Sequence, residues 1–177
     1  AAFNCLQCFG SHFPDAVIPI LLEYITNSSS SENPLDREGA LKCLHIIFCI
    51  SSPDKLESII PSALELLFNL LDDEVPRVRY ESVCSLTAII KRSNSCEPFL
   101  QFFQLLFKLL EDVEPTAKSS LKAIKLISRF QDFEDFPQLY ELLTELIPLL
   151  PLSLIQYAME CFTLTINSKI TNDVAFI

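Results

Sequence analysis

A helical pattern returns five times along this chain, and it constrains the fold more than any other feature. Each occurrence has a small residue, a larger apolar residue beside it, and further apolar residues four and seven or eight positions on. The set reads Ala2-Phe3, Leu6, Phe9; Ala40-Leu41, Leu44, Ile47; Ser82-Val83, Leu86, Ile89; Ser120-Leu121, Ile124, Ile127; and Ala158-Met159, Phe162, Ile166. The small residues are spaced by 38, 42, 38 and 38 positions, near the length of one antiparallel helix pair in a stacked-repeat protein. One pair cannot bury its apolar face alone, so neighbours must stack and share a core. The expected fold is all-α, a right-handed superhelix of stacked antiparallel helix pairs. Residues 1–177 are expected to form a single solenoid segment of about four to five pairs.

Composition agrees with that pattern. Two glycines, eleven prolines and no asparagine-glycine or aspartate-glycine turn argue against a sheet protein. At 177 residues and 50% hydrophobic content the chain can bury a continuous core, yet it is short for two domains. Its apolar runs are interrupted by Glu65, Glu141, Glu145, Pro61, Pro148 and Pro151, so no membrane span is expected. The stretch from Ala1 to Phe9 lacks a basic start and a cleavage site, which points to an intracellular, reducing setting, cytoplasmic or nuclear. A net charge of −10 argues against direct nucleic-acid binding, which needs a phosphate-neutralising surface.

Proline divides the units. First helices are expected at Pro14 to Thr26, Lys55 to Leu71, Pro98 to Leu110 and Phe136 to Leu150, where doubled leucines make one apolar stripe. Second helices are expected to begin near Pro34, Pro76, Pro115 and Pro151, because proline lacks an amide hydrogen that a first turn does not use. Pro61 and Pro148 fall inside apolar-periodic segments and are expected to kink a helix or delay its start. The polar run Asn27 to Asn33, with serines at 28–31, reads as a surface loop, and as a phosphorylation candidate beside Glu32. The pattern starts partway into a second helix at Ala1-Ala2, and Asp173 to Ile177 runs apolar like the start of a further first helix. The expectation is a portion of a longer repeat protein, flanked by further repeats or covered at its ends by another subunit.

The segment Asp73-Glu-Val-Pro-Arg-Val-Arg-Tyr-Glu-Ser-Val-Cys-Ser-Leu86 resembles the HEAT-repeat pattern, in which an aspartate closes the first helix and a valine-arginine pair opens the second. Asp73, Val78, Arg79, Ser82 and Leu86 fill those places, and Arg37 stands three positions before Ala40 as Arg79 does before Ser82. The resemblance implies an aspartate–arginine ladder between neighbouring repeats involving Asp73, Arg79 and Arg37. The next unit departs from the pattern, since Asp112 lies closer to its helix and Lys118 is displaced, and the last unit has Ile155 at the arginine position. Armadillo repeats, with three helices per unit, fit less well.

Candidates for chemistry are weak. Cys5, Cys8 and His12, or Cys43, His45 and Cys49, have spacing a metal could use. Three positions after each small residue, however, the units carry Cys5, Cys43, Ser85, Ala123 and Cys161, a column that takes any small side chain. Cysteine there is expected to be a buried free thiol. Neither His12 nor His45 has a relay aspartate nearby, and no glycine-rich phosphate loop exists. Carboxylate pairs at Asp72-Asp73, Glu111-Asp112 and Glu134-Asp135 read as solvated turns. No catalytic residue, metal or cofactor is expected.

The second helices say more. All Lys and Arg residues except Lys55 and Lys108 fall in or at the ends of second helices, while acids gather in first helices and loops. Positions −2, +2, +5 and +9 from each small residue share one helical face, opposite the stripe at +1, +4 and +8. That face carries Lys42 and His45; Tyr80 and Lys91; Lys118, Lys122, Lys125 and Arg129; and Gln156. Four cations at i, i+4, i+7 and i+11 repel one another and support no helix unaided. These nine residues are the candidate partner-binding site. The reading is a non-enzymatic interaction scaffold that binds an acidic peptide or helix on the concave face of its second helices. Resemblance to HEAT-like proteins also admits an importin-like transport factor or a TOG-like tubulin-binding segment, although the chain lacks tryptophan and its loops are acidic.

Overall fold

A computed structural model describes residues 2–130 and 136–174, with side-chain environments for 3–130 and 139–163. Among these residues every regular element is helical. The helices are α1 (Ala2–His12), α2 (Pro14–Ser28), α3 (Pro34–Ile50), α4 (Pro53–Leu70), α5 (Pro76–Ile90), α6 (Phe103–Lys108), α7 (Glu114–Ile127), α8 (Phe136–Leu146) and α9 (Leu152–Val174). Short 3-10 segments flank α6 at Glu97–Phe102 and Leu109–Glu111, and another follows α8 at Ile147–Leu149. The chain divides into two compact units, Ala1–Arg92 and Ser93–Ile177. In the first, second helices α1, α3 and α5 pack in series, with α2 against α3 and α4 against α5. In the second, α7 packs on α9, with α6 against α7 and α8 against α9. This is the all-α solenoid arrangement the repeat requires.

Proline stands at the first or second position of six of the helices, α2, α3, α4, α5, α7 and α8. At α3 the cap is completed by Asn33, whose side chain accepts from the Leu35 amide at 3.1 Å. Pro61 lies inside α4, which starts earlier than expected, at Pro53. The first helix expected at Pro98 to Leu110 is broken into a 3-10, an α and a second 3-10 segment. Its opening 3-10 turns bring Phe99 and Phe102, three residues apart, to one face, and both are fully buried. Pro148 sits in the 3-10 turn after α8. Of the segment expected to begin a further first helix, Asp173 and Val174 continue α9, and residues 175–177 lie outside the described residues. The Glu134-Asp135 pair and the side chains of Ala2, Ile166 and Asn167 lie outside the described residues.

The register is the one the repeat implies. Ala40, Ser82, Ser120 and Ala158 have no exposure, and Leu41, Leu44, Val83, Leu86, Leu121 and Ile124 are buried beside them. Ser82 Oγ donates to the Val78 carbonyl at 2.9 Å, one turn back. Ser120, equally buried, makes no such bond. The column at +3 marks where one second helix meets the one before it. Ser85 Oγ donates to the Leu41 carbonyl at 2.9 Å, and Cys161 Sγ reaches the Leu121 carbonyl at 3.4 Å. Burial pushes the Cys161 thiol up to about 12, so it stays protonated and inert. Cys43 is half-buried against α1, whereas Cys5 is exposed. The expectation of burial fails at Cys5 for a plain reason: among the described residues no second helix precedes α1. Met159, at +1 of α9, is 43% exposed by the same logic, since +1 faces the following second helix.

The ladder forms where the resemblance implies it. Arg37 Nε and Nη2 donate to the two Asp73 carboxylate oxygens at 2.7 and 2.9 Å, one repeat on. Its Nη1 caps the Ser31 and Glu32 carbonyls at 2.8 and 3.2 Å. Arg79 repeats that capping on the Asp73 and Glu74 carbonyls at 2.7 and 3.0 Å. Ser31 therefore stands where Asp73 stands one repeat later, and each uses its side chain to hold an amide two residues on, Asn33 or Val75.

Candidate functional site

In the first unit, the face at −2, +2, +5 and +9 is a cross-helix polar network. Lys42 on α3 pairs with Glu38 one turn back and lies 3.7 Å from Glu81 on α5. Glu38 is only 5% exposed, and Arg77 closes the network with Nε 2.7 Å from its other carboxylate oxygen. Burial raises the Glu81 pKa, opposed by the Lys42 cation. His45 is half-buried beside the Phe3 ring, at 5.9 Å between centroids, and bonds to the Cys84 backbone. Burial lowers its pKa, so it is held as neutral imidazole. Tyr80 is half-buried on α5 with its phenol bonded to the Cys84 side chain. Lys91, just past the end of α5, is exposed.

In the second unit α7 and α9 lie side by side, and α9 supplies what the cation run needs. Lys118 Nζ sits 4.6 Å and Lys122 Nζ 5.7 Å from the centre of the Tyr157 ring. A hydrogen bond to the Tyr157 side chain raises the Lys118 pKa. Lys125 pairs with Glu160, whose carboxyl is held low chiefly by that bond. Lys122 and Arg129 remain exposed, and Gln156 is exposed at the start of the same α9 face. Three cations on α7 and Arg129 just past its end coexist because a ring and a carboxylate from the neighbouring helix lie against them.

The nine candidate residues thus fall into two groups, Lys42, His45, Tyr80 and Lys91 in one unit and Lys118, Lys122, Lys125, Arg129 and Gln156 in the other. Sequence reasoning missed Tyr157 and gave no role to Glu38, Arg77 or Glu81. Tyr157 lies one residue off the polar column, and the signal that finds it is the unexplained cation run on the helix before it. Among the described residues no cluster of three or more His, Cys, Asp or Glu side chains could hold a metal ion. No helix among them is long and apolar enough to cross a membrane.

A stack of helix pairs whose second helices present a polar, partly cationic face defines a helical-repeat protein of the kind that binds other proteins. Residues 35–131, more than half of the chain, match the Vacuolar 14 Fab1-binding region family. The chain belongs to that family of HEAT-like helical repeats. Its fold is also similar to the crystal structure of an engineered protein from the Northeast Structural Genomics Consortium. That match has a TM-score of 0.66 and 16% identity, and covers 94% of this chain and 72% of the other. No curated protein sequence matches the chain.

Proposed function

We propose that this chain is a non-enzymatic scaffold segment whose second-helix face binds an acidic peptide or helix, and that the protein partner is of the kind the family's description names, Fab1. The observation that carries the reading is positional. The family match at 35–131 takes in eight of the nine candidate residues, all but Gln156, and holds the whole cation run of α7. Lys122 on α7 and Arg129 just past its end are the exposed members of that run, and they suit carboxylates spaced along an acidic segment. Lys118 and Lys125 flank them with charge already positioned by Tyr157 and Glu160. The same reading places the protein inside the cell, in cytoplasm or nucleus, where thiols such as Cys43 and Cys161 stay reduced.

The test uses Lys122→Glu with Arg129→Glu, because both side chains are exposed and neither holds an ion pair that folding needs. Lys125→Glu is the wrong choice, since it would set two carboxylates against each other at Glu160. The double variant should fold as the parent does and bind an acidic peptide, or purified Fab1 protein, at least about tenfold more weakly. Unchanged affinity for both would remove the second-helix face as the site.

A further inference from the structure

The first-helix side of the second unit carries a groove that the reading above does not use. On one wall are Gln104, Phe107, Lys108 and Glu111, spaced i, i+3, i+4 and i+7 along α6 and the 3-10 turn after it. The other wall repeats that spacing with Leu142, Glu145, Leu146 and Leu149, along α8 and its own 3-10 turn. The space between them is about 420 Å³. That is enough for one or two apolar side chains. Two walls, each showing one helical face over about two turns, form a trough roughly 10 Å long, a shape that can receive a helix laid lengthwise.

The chemistry of the trough selects its occupant. Its lining is mostly apolar, from Phe107, Leu142 and Leu146, with Leu149 80% exposed at its end. The rim bears two exposed carboxylates, Glu111 and Glu145, against one exposed cation, Lys108, with exposed Glu141 one turn further along α8, so its charge is net negative. An acidic peptide would be repelled there, and so would an anionic lipid surface. We propose that this groove docks a short amphipathic helix of a partner protein, with leucine- or phenylalanine-type anchors seated between α6 and α8 and lysine or arginine flanks meeting Glu111 and Glu145. The groove then reads the opposite charge from the second-helix face, so one chain holds segments of both signs on its two helix layers.

The experiment uses a fluorescein-labelled helical peptide of about four turns with leucines at i, i+4 and i+7 and lysines on both flanks. A second peptide keeps the leucines and replaces each lysine by glutamate. Against the full chain the basic peptide should bind and the acidic one bind at least about tenfold more weakly at this groove. Leu149→Glu, a change at an exposed position that leaves folding intact, should cut basic-peptide affinity about tenfold or more. Glu111→Lys with Glu145→Lys should weaken the basic peptide and strengthen the acidic one, while Lys122→Glu with Arg129→Glu should not weaken basic-peptide binding. Basic-peptide binding that ignores Leu149→Glu would mean attraction to the general acidic surface and would overturn the proposal. So would equal binding of the two peptides at the groove, or basic-peptide binding that is lost in the second-helix variant.

Discussion

Arg37 does three jobs with one guanidinium, and a charge this enclosed is costly to leave alone. It is paired in two-point fashion to Asp73, caps two loop carbonyls, and has a side chain only 10% exposed against 8% for its partner. Hydrogen bonding to Asp73 holds its pKa above the ordinary arginine value. Asp73→Ala should therefore cost about 3–5 kcal/mol in urea unfolding, because it strands a buried cation and frees the Val75 amide. Arg37→Met combined with Asp73→Leu should cost clearly less than Asp73→Ala, since no charge is left unpaired. A loss under about 0.5 kcal/mol for Asp73→Ala would show the rung to be ornamental. His45 supplies a second test of burial. Its folded pKa lies below the ordinary 6.5 because burial disfavours the imidazolium, while the unfolded chain takes up its proton near 6.5. The unfolded state therefore binds more protons in that interval, and stability should rise with pH up to about 6.5 and fall as pH drops below it. Glu81, raised by burial, acts with the opposite sign lower in the scale, so the useful quantity is the difference between parent and His45→Gln. That difference should grow on acidification between pH 6.5 and 5, in favour of the variant. A flat difference would mean that the ring charges freely in the fold.

Individual helices put the same hydroxyl to different uses. Ser85 ties α5 to α3 through the Leu41 carbonyl, whereas Ser120, on α7, is completely buried with its hydroxyl unpaired. Alanine at these two positions should thus have effects of opposite sign. Ser85→Ala loses an interhelical bond and should cost about 1 kcal/mol, and Ser120→Ala removes an unpaired buried hydroxyl and should gain about 1 kcal/mol. Denaturant midpoints moving in the same direction for both would contradict this account. The position of both serines was legible in the sequence, because a small residue beside the apolar stripe at 38- to 42-residue spacing has one place to go. Proline likewise announced the start of α3, α5 and α7 to within a residue. Two things were not legible. The broken first helix around α6 depends on whether Phe99 and Phe102 gain more from 3-10 alignment into the core than the backbone loses, a tertiary balance that local periodicity does not encode. The partners of the cations depend on how far one second helix is rotated against the next, and that rotation brings Tyr157 and Glu160 to α7, and Glu81 to Lys42, from positions a single helix cannot predict.

At the scale of the whole molecule, a net charge of −10 works against the acidic ligand that the second-helix cations attract. The two effects act over different distances, and salt separates them. At about 0.01 M salt the screening length is roughly 30 Å, so an approaching acidic peptide feels the full negative charge. At about 0.15 M it is roughly 8 Å, and the peptide feels chiefly the nearby Lys122 and Arg129. Affinity for an acidic peptide should therefore rise on going from very low to moderate ionic strength, as long-range repulsion is screened first, and fall again toward 1 M as the contacts themselves weaken. Lys122→Glu with Arg129→Glu should flatten the falling limb, because two of the four cations that attract the peptide are then carboxylates. A basic peptide in the groove between α6 and α8 should show neither turn, only a steady loss with salt, since local and global charge attract it alike. Titrations of both peptides across the same salt series distinguish these cases. An acidic peptide whose affinity simply falls from the lowest salt upward would mean that the local cations outweigh the molecule's total charge even at long range, and that the potential near α7 is positive well beyond its side chains.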